Sequence, residues 1–190
     1  MSNEFTDIGV PEKMQVSKNF QHLRIVRKWF GFKFVFLTLF VIIWDAFLVN
    51  WYAMAFSSSF RSGFDLMFVF FPLIHVAVGI GLTYYALTGY LNKTFIDVTA
   101  NSITIKHVPL PFLGNKKVSS KTIIQLYCKK DDFLGARNGY RAFAVHAITR
   151  ERKNIKLLSG LDTSEQALFI EQEIEKFLNI EDKPVKGEIR

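Results

Sequence analysis

The sequence has little cysteine, histidine or proline, and two long stretches carry almost no charge. A single cysteine, Cys128, among 190 residues excludes an intramolecular disulfide and a thiolate zinc cluster. The four histidines, His22, His75, His107 and His146, have no HExxH or paired ligand spacing. There is no GxSxG elbow and no Walker loop, and no carboxylate pair stands out among the basic strand segments. Gly79-Ile80-Gly81 is a fragment of a GxG pattern, but it lies inside an apolar run where it cannot cradle phosphate. These absences give no reason to expect an enzyme, a cofactor or a metal. What is present excludes a disordered chain: 49% of residues are hydrophobic, 15% are aromatic, and 20 are phenylalanine.

The apolar residues form two blocks, 34–56 and 66–91. Asp45 is the one ionisable acid or base of the first; the second has no formal charge and a single His75. Each exceeds the roughly 20 residues a membrane-spanning helix needs. Neither keeps the polar stripe with a period near 3.6 that marks a core helix, so the expectation is a transmembrane hairpin. A cleavable signal peptide fits poorly, because a leader of 33 residues precedes the first block and no small-x-small site follows it. No myristoylation or prenylation signal is evident. Basic residues predict the topology. The leader holds six Lys/Arg, the connector only Arg61, and the chain from Asn92 onward seventeen. Positive flanks stay cytoplasmic, which predicts a hairpin with both termini in the cytoplasm and a nine-residue outer loop. Trp29, Trp51, Tyr52, Tyr84, Tyr85 and Tyr90 suit interfacial belts. Ala77 and Gly81 form a small-xxx-small pair for helix packing, in the hairpin or in an oligomer. Pro72 predicts a tolerable kink early in the second helix.

Residues 1–18 read as a mobile tail. In Asn19–Phe32, Phe20, Leu23, Val26 and Phe30 recur at helical spacing with Arg24, Arg27 and Lys28 between them. This predicts a short amphipathic helix, lying either on an anionic leaflet or on the protein's own soluble domain.

After Leu91 the periodicity becomes that of strands. Phe95–Thr99 and Ile103–Val108 alternate around an Ala100-Asn101-Ser102 turn and predict a hairpin. Pro109 and Pro111 stop it. Thr122–Cys128, Arg141–Thr149 and Asn154–Leu158 are further strands, with a loop over Asp131–Gly139. Thr163-Ser164-Glu165-Gln166 is a capping box, with Gln166 reaching back, and it opens a helix that ends near Asn179. The fold class is therefore α+β: a two-helix transmembrane hairpin (34–91), then an antiparallel domain (92–180) of five or six strands closed by a C-terminal helix, then a tail (181–190).

Several segments carry a resemblance. Leu91-Asn92-Lys93-Thr94 leads straight into the first hairpin, and Pro109-Leu110-Pro111-Phe112-Leu113-Gly114-Asn115 follows its second strand. Ile123–Tyr127 and Ser159-Gly160-Leu161 come before the closing helix. This layout resembles the bacterial pleckstrin-homology-like (PH-like) two-helix membrane proteins. It is also similar to the photosystem I assembly factors of plastids and cyanobacteria. The first likeness implies a PH-like domain. The second implies an assembly role, without its client.

Charge is uneven. Residues 93–160 hold thirteen Lys/Arg against four acids, and residues 161–190 hold four against eight. Lys116 and Lys117 follow the apolar loop of Leu110, Phe112 and Leu113. That combination could press onto anionic lipid, or the loop could cap the sheet core. The Ala100–Ser102 turn has no charge, which disfavours the phosphoinositide grip of eukaryotic PH domains. No nucleic-acid motif is present, so nucleic acid is not an expected partner. Cys128 ends an apolar strand beside Lys129 and Lys130 and reads as a packing residue more readily than a reactive thiol.

Counted from the block midpoints, Asp45, Asn50 and His75 fall at overlapping depth. A carboxylate at that depth is paired, buried or protonated. The expectation is a polar clasp, or a contact with another integral membrane protein, with an oligomeric proton or ion pathway as a further alternative. The combined reading is a non-enzymatic scaffold, assembly or accessory subunit with a membrane-protein partner, self-association remaining open. The alternative class is a sensor of anionic lipid.

Overall fold

The structure, a computed structural model, describes residues 9–57, 63–131 and 142–189. The connector around Arg61, most of the Asp131–Gly139 loop and the first eight residues lie outside the described residues. The chain forms two compact units. One joins residues 1–28 to 93–190, and the other is 29–92.

The second unit is two long apolar helices. Helix α1 runs Phe32–Ser57. The return path is α2, Gly63–Phe70, and α3, Leu73–Leu91. They are separated at Phe71-Pro72 as the proline requires, since its ring excludes an amide donor. Both candidate spans, Phe32–Ser57 and Met67–Leu91, are long and apolar enough to cross a membrane. At about 1.5 Å per residue, α1 reaches about 39 Å, beyond the roughly 30 Å of bilayer hydrocarbon.

The first unit is antiparallel throughout. Strands β1 (Met14–Lys18), β2 (His22–Lys28), β3 (Lys93–Thr99), β4 (Ser102–Val108) and β5 (Lys116–Ser119) form one sheet in that order. A 3-10 turn, Ser120–Thr122, carries the chain into a second sheet. That sheet is β6 (Ile123–Asp131), β7 (Ala142–Thr149) and β8 (Asn154–Leu161), again in order. Helix α4, Ser164–Leu178, closes the unit. Alternation places Leu23, Ile25, Ile96, Val98, Ile103 and Ile105 inward from the first sheet. They meet Leu126, Cys128, Val145, Ala147, Leu157, Leu158 and Leu161 from the second, and Ala167, Ile170 and Ile174 from α4. Each fully buried Leu or Ile contributes on the order of 1.5–3 kcal/mol.

Three expectations are corrected. Residues 14–18 are a strand and not a mobile tail. The amphipathic helix expected over Asn19–Phe32 is instead the turn at Asn19–Gln21 and the strand β2. The spacing of Phe20, Leu23, Val26 and Phe30 imitates a helix. The true period is two: Leu23, Ile25 and Arg27 point inward. Arg27 hides the alternation because it is charged. Its Nε donates to Gln166 Oε1 at 3.2 Å and its Nη2 to Gly160 O and Asp162 Oδ2, both at 3.0 Å. The third correction concerns strand number: the expected hairpin Phe95–Val108 is present as β3 and β4, but β1, β2 and β5 flank it, and the described residues hold eight strands where five or six are expected.

The α4 start follows the capping pattern with one change. Thr163 Oγ1 accepts from Gln166 N–H at 3.2 Å, and Gln166 Oε1 accepts from Asp162 N–H at 3.2 Å, one residue before the cap. Asn179 ends the helix in the left-handed region, φ 53°, where Asn is tolerated.

Arg27→Leu should lower unfolding stability of the full-length protein by about 3 kcal/mol, because Asp162 loses a partly buried partner. Denaturant unfolding followed by hydrogen exchange at β1 and β2 checks this; an unchanged midpoint would remove Arg27 as the tie between β2 and α4.

Candidate functional site

Two groups of the expected residues can be placed, one in each unit. In the helical unit, Asp45 meets Thr83 and not His75. The Thr83 hydroxyl lies 3.1 Å from Asp45 Oδ2 and 2.9 Å from Gly79 O, one proton offered to two acceptors. A Cβ at Gly79 would come within 2.9 Å of Asp45 Oδ1, so the glycine leaves room for the carboxylate. His75 packs elsewhere. Its ring stacks on Trp44 at 5.8 Å and tilts against Phe71 at 5.6 Å, and Trp44 Nε1 donates to His75 O at 3.2 Å. His75 Nδ1 is buried with no hydrogen-bond partner among the described residues. Depth counting places these residues at one level, but it does not say which way each turns on its helix. The clasp is therefore Asp45–Thr83 and Trp44–His75, two separate contacts.

Asn50 is exposed on α1. Ala77 and Gly81 are exposed on α3, with nothing within 4 Å of a Cβ built at Gly81. The close approach of the two helices uses other small residues, Gly79, Ala86 and Gly89, all buried. A Cβ at Gly89 would overlap the Phe34 ring. Near it, Thr38 Oγ1 lies 3.0 Å from the Tyr90 hydroxyl, and both bond to Phe34 O. Toward the far end of α1, Trp51 Nε1 donates to Phe68 O at 3.0 Å and the Tyr52 hydroxyl to Val69 O at 3.2 Å.

In the β unit, the loop between β4 and β5 is built around His107. The His107 N–H donates to Asn115 Oδ1 at 2.7 Å, and His107 Nδ1 lies 2.9 Å from Thr94 Oγ1. Phe112 meets the ring edge-on at 6.3 Å. Gly114 has φ 109°, and a Cβ there would come within 2.9 Å of His107 Nε2. Burial, then the charges of Arg27 and Lys116, pull the His107 pKa down, so the ring is neutral at neutral pH. Leu110 and Phe112 are half-buried, while Leu113 is 89% exposed at the tip. The loop thus caps the sheet with two of its apolar residues and presents the third. Lys116 and Lys117 are not loop residues; they open β5, pairing with Ile105 and Thr104. Lys116 Nζ donates to Lys156 O at 2.6 Å and so ties the two sheets together. Lys117 is exposed.

Register gives this loop its position. Val108 pairs with Lys93, and Lys93 also pairs with Lys28. Lys28 and Lys93 are the residues through which the chain leaves and rejoins the β unit. They are exposed and directly opposite, a like-charge pair that a sheet ordinarily avoids.

Sequence reasoning missed a polar row on the second sheet. Tyr127 stacks on His146 at 5.2 Å, Asn154 Nδ2 bonds to the Tyr127 hydroxyl, and His146 Nδ1 lies 3.1 Å from Asn154 Oδ1. Lys156 Nζ pairs with Asp131 at 2.8 Å. Only the cross-strand register brings these residues together. Cys128 is fully buried, and burial, then Glu171, pushes its thiol pKa up. Lys129 and Lys130 therefore do not activate it.

Gly89→Ala should lower the thermal midpoint of the detergent-solubilised protein, an overpacking cost of about 1–3 kcal/mol. Adding Phe34→Leu should recover part of the loss, and Gly81→Ala should be neutral. Equal midpoints for Gly89→Ala and Gly81→Ala would discount the Phe34 contact. No protein-family model matches the chain, and comparison with curated proteins finds no match.

Proposed function

We propose that the protein is a membrane-anchored, non-enzymatic scaffold, assembly or accessory subunit of the bacterial inner membrane. The two helical spans form its transmembrane hairpin, with both termini cytoplasmic and the β unit serving as a PH-like domain. Fewer than one residue in five of either span is buried, whereas the core helix of a soluble protein is mostly buried. Ile43, Val49, Ile74 and Ile80 are all more than 60% exposed, a surface that lipid would satisfy. The Lys/Arg excess on both flanks supports the orientation. Two antiparallel sheets closed by a C-terminal helix support the PH-like reading.

The observation that carries the partner reading is Asn50. It is an exposed amide on a helix whose other mid-span polar side chains, Thr38 and Asp45, bond within the hairpin, and such groups in lipid seek an interhelical hydrogen bond. Ala77 and Gly81, exposed and left unused by the hairpin, would let the partner's helix approach. Purification of the full-length protein in native nanodiscs with cross-linking should yield one stoichiometric integral membrane partner. Asn50→Leu with Gly81→Leu should release it, while the hairpin and the β unit stay folded. Recovery of the protein alone, at the same mass in wild type and variant, would sink this reading.

A second reading, contact with anionic lipid, is favoured by Leu113 at the sheet end that carries Lys28 and Lys93. Each basic residue near an anionic leaflet is worth about 1 kcal/mol. An environment-sensitive dye on Leu113→Cys should shift to the blue in nanodiscs containing anionic lipid, and less so with Lys28→Glu and Lys93→Glu. An identical spectrum in purely zwitterionic nanodiscs would exclude it.

A further inference from the structure

The C-terminal segment after α4 forms no strand, yet it lies along one. In the second sheet β6 is an edge strand, with β7 on one side only. Its outer backbone groups need partners, because an open edge is a template for other chains. The protein fills them with side chains and with the segment 180–189. Leu126 N–H donates to Glu175 Oε1 at 3.3 Å, and Cys128 O accepts from Ile189 N–H at 2.9 Å. Next to Leu126, Gln125 Nε2 donates to Lys183 O at 2.6 Å. Ile180 and Ile189 pack against the core at either end.

This covering is held against its own charge. Glu171 and Glu175 come from α4 and are buried. One oxygen from each and one from Asp182 of the covering segment lie within 4.8 Å of one another. Glu188, also from the segment, and the Cys128 thiol from β6 act on the same carboxylates. Lys183, the cation nearest in sequence to Asp182, is paired with Glu181 at 3.2 Å. Fully ionised, carboxylates this close and this buried would repel strongly.

We propose that residues 180–189 are a releasable strap over the outer edge of β6, latched while the Glu175 carboxyl, crowded by Glu171 and Asp182, keeps its proton, and freed when Glu175 ionises. Burial, then Glu171, hold Glu175 up to about 8, against the opposing Leu126 hydrogen bond. Release exposes Glu175 and returns it toward the ordinary value of 4.5. Closing the strap therefore takes up a proton. The sign follows: the strap is firmest on the acid side, loosens as pH rises between those two values, and loosens no further above about 8. Release uncovers the backbone edge of β6, including the Cys128 carbonyl.

Hydrogen exchange of the full-length protein in detergent micelles tests this, after correction for intrinsic amide rates. The opening constant read at Ile189 should rise about tenfold per pH unit between about pH 4.5 and about pH 8 and stay flat outside that range. Glu175→Gln keeps an acceptor for Leu126 N–H and should flatten that profile with the strap closed. Asp182→Asn with Glu188→Gln, both at half-exposed positions, should shallow it independently. A pH-independent opening at Ile189, or the same slope in wild type and in both variants, overturns the proposal. So does exchange of the core amides of Ile96 and Ile105 in step with Ile189, because the opening would then be global.

Discussion

The pairing of β2 with β3 is the constraint on which both units depend. It joins His22–Lys28 to Lys93–Thr99 across the whole helical unit, in unbroken antiparallel register. Closing a connection of that length would cost considerable chain entropy if the intervening residues were slack. Among the described residues, Phe34 against Gly89, and Thr38 with Tyr90, hold the start of α1 to the end of α3. The Trp29 N–H donates to Asn92 O at 3.2 Å, so the helical unit itself brings its two chain ends side by side.

Within the β unit, a few buried polar groups do what the apolar core cannot. Hydrophobic burial is non-directional and would tolerate several positions of α4. Arg27, Gln166 and Asp162 select one, because each misplaced polar group would lose its partners in a dry environment. Gln166 also reaches Glu12 O, which ties the segment before β1 to the start of α4. The two ends of α4 differ in consequence. The N-terminal end is locked by matched donors and acceptors, whereas the C-terminal end gathers acids that repel.

The outward surfaces divide by chemistry. On the helical unit the small and polar residues that serve packing are Gly79, Ala86, Gly89 and Thr83, which leaves Asn50, Ala77 and Gly81 facing out. On the β unit, the loop that begins at Pro109 is rigid at its base, through His107 and Asn115, and exposes Leu113 at its tip. An apolar side chain presented on a pinned loop loses little entropy on contact.

Local periodicity and composition determined much of this protein. The two apolar blocks, the break at Pro72, strands β3, β4, β6, β7 and β8, and α4 with its Thr163 cap all follow from residues near in sequence. What escaped was non-local. β1 and β2 were hidden because the inward Arg27 breaks the apolar alternation, and the groups that make its burial tolerable lie more than 130 positions away. β5 has four residues, too few to carry a period, and exists because β4 offers it an edge. Asp45 finds Thr83 and not His75 because rotation about a helix axis is set by packing against the neighbouring helix, which depth along the chain does not record. The segment after α4 carries no strand signal, and it lies along β6 because an unpaired edge there supplies the bonds. Sequence alone thus specified the elements whose driving force is local. Tertiary structure decided wherever a buried charge or an open edge had to be satisfied by a residue far along the chain.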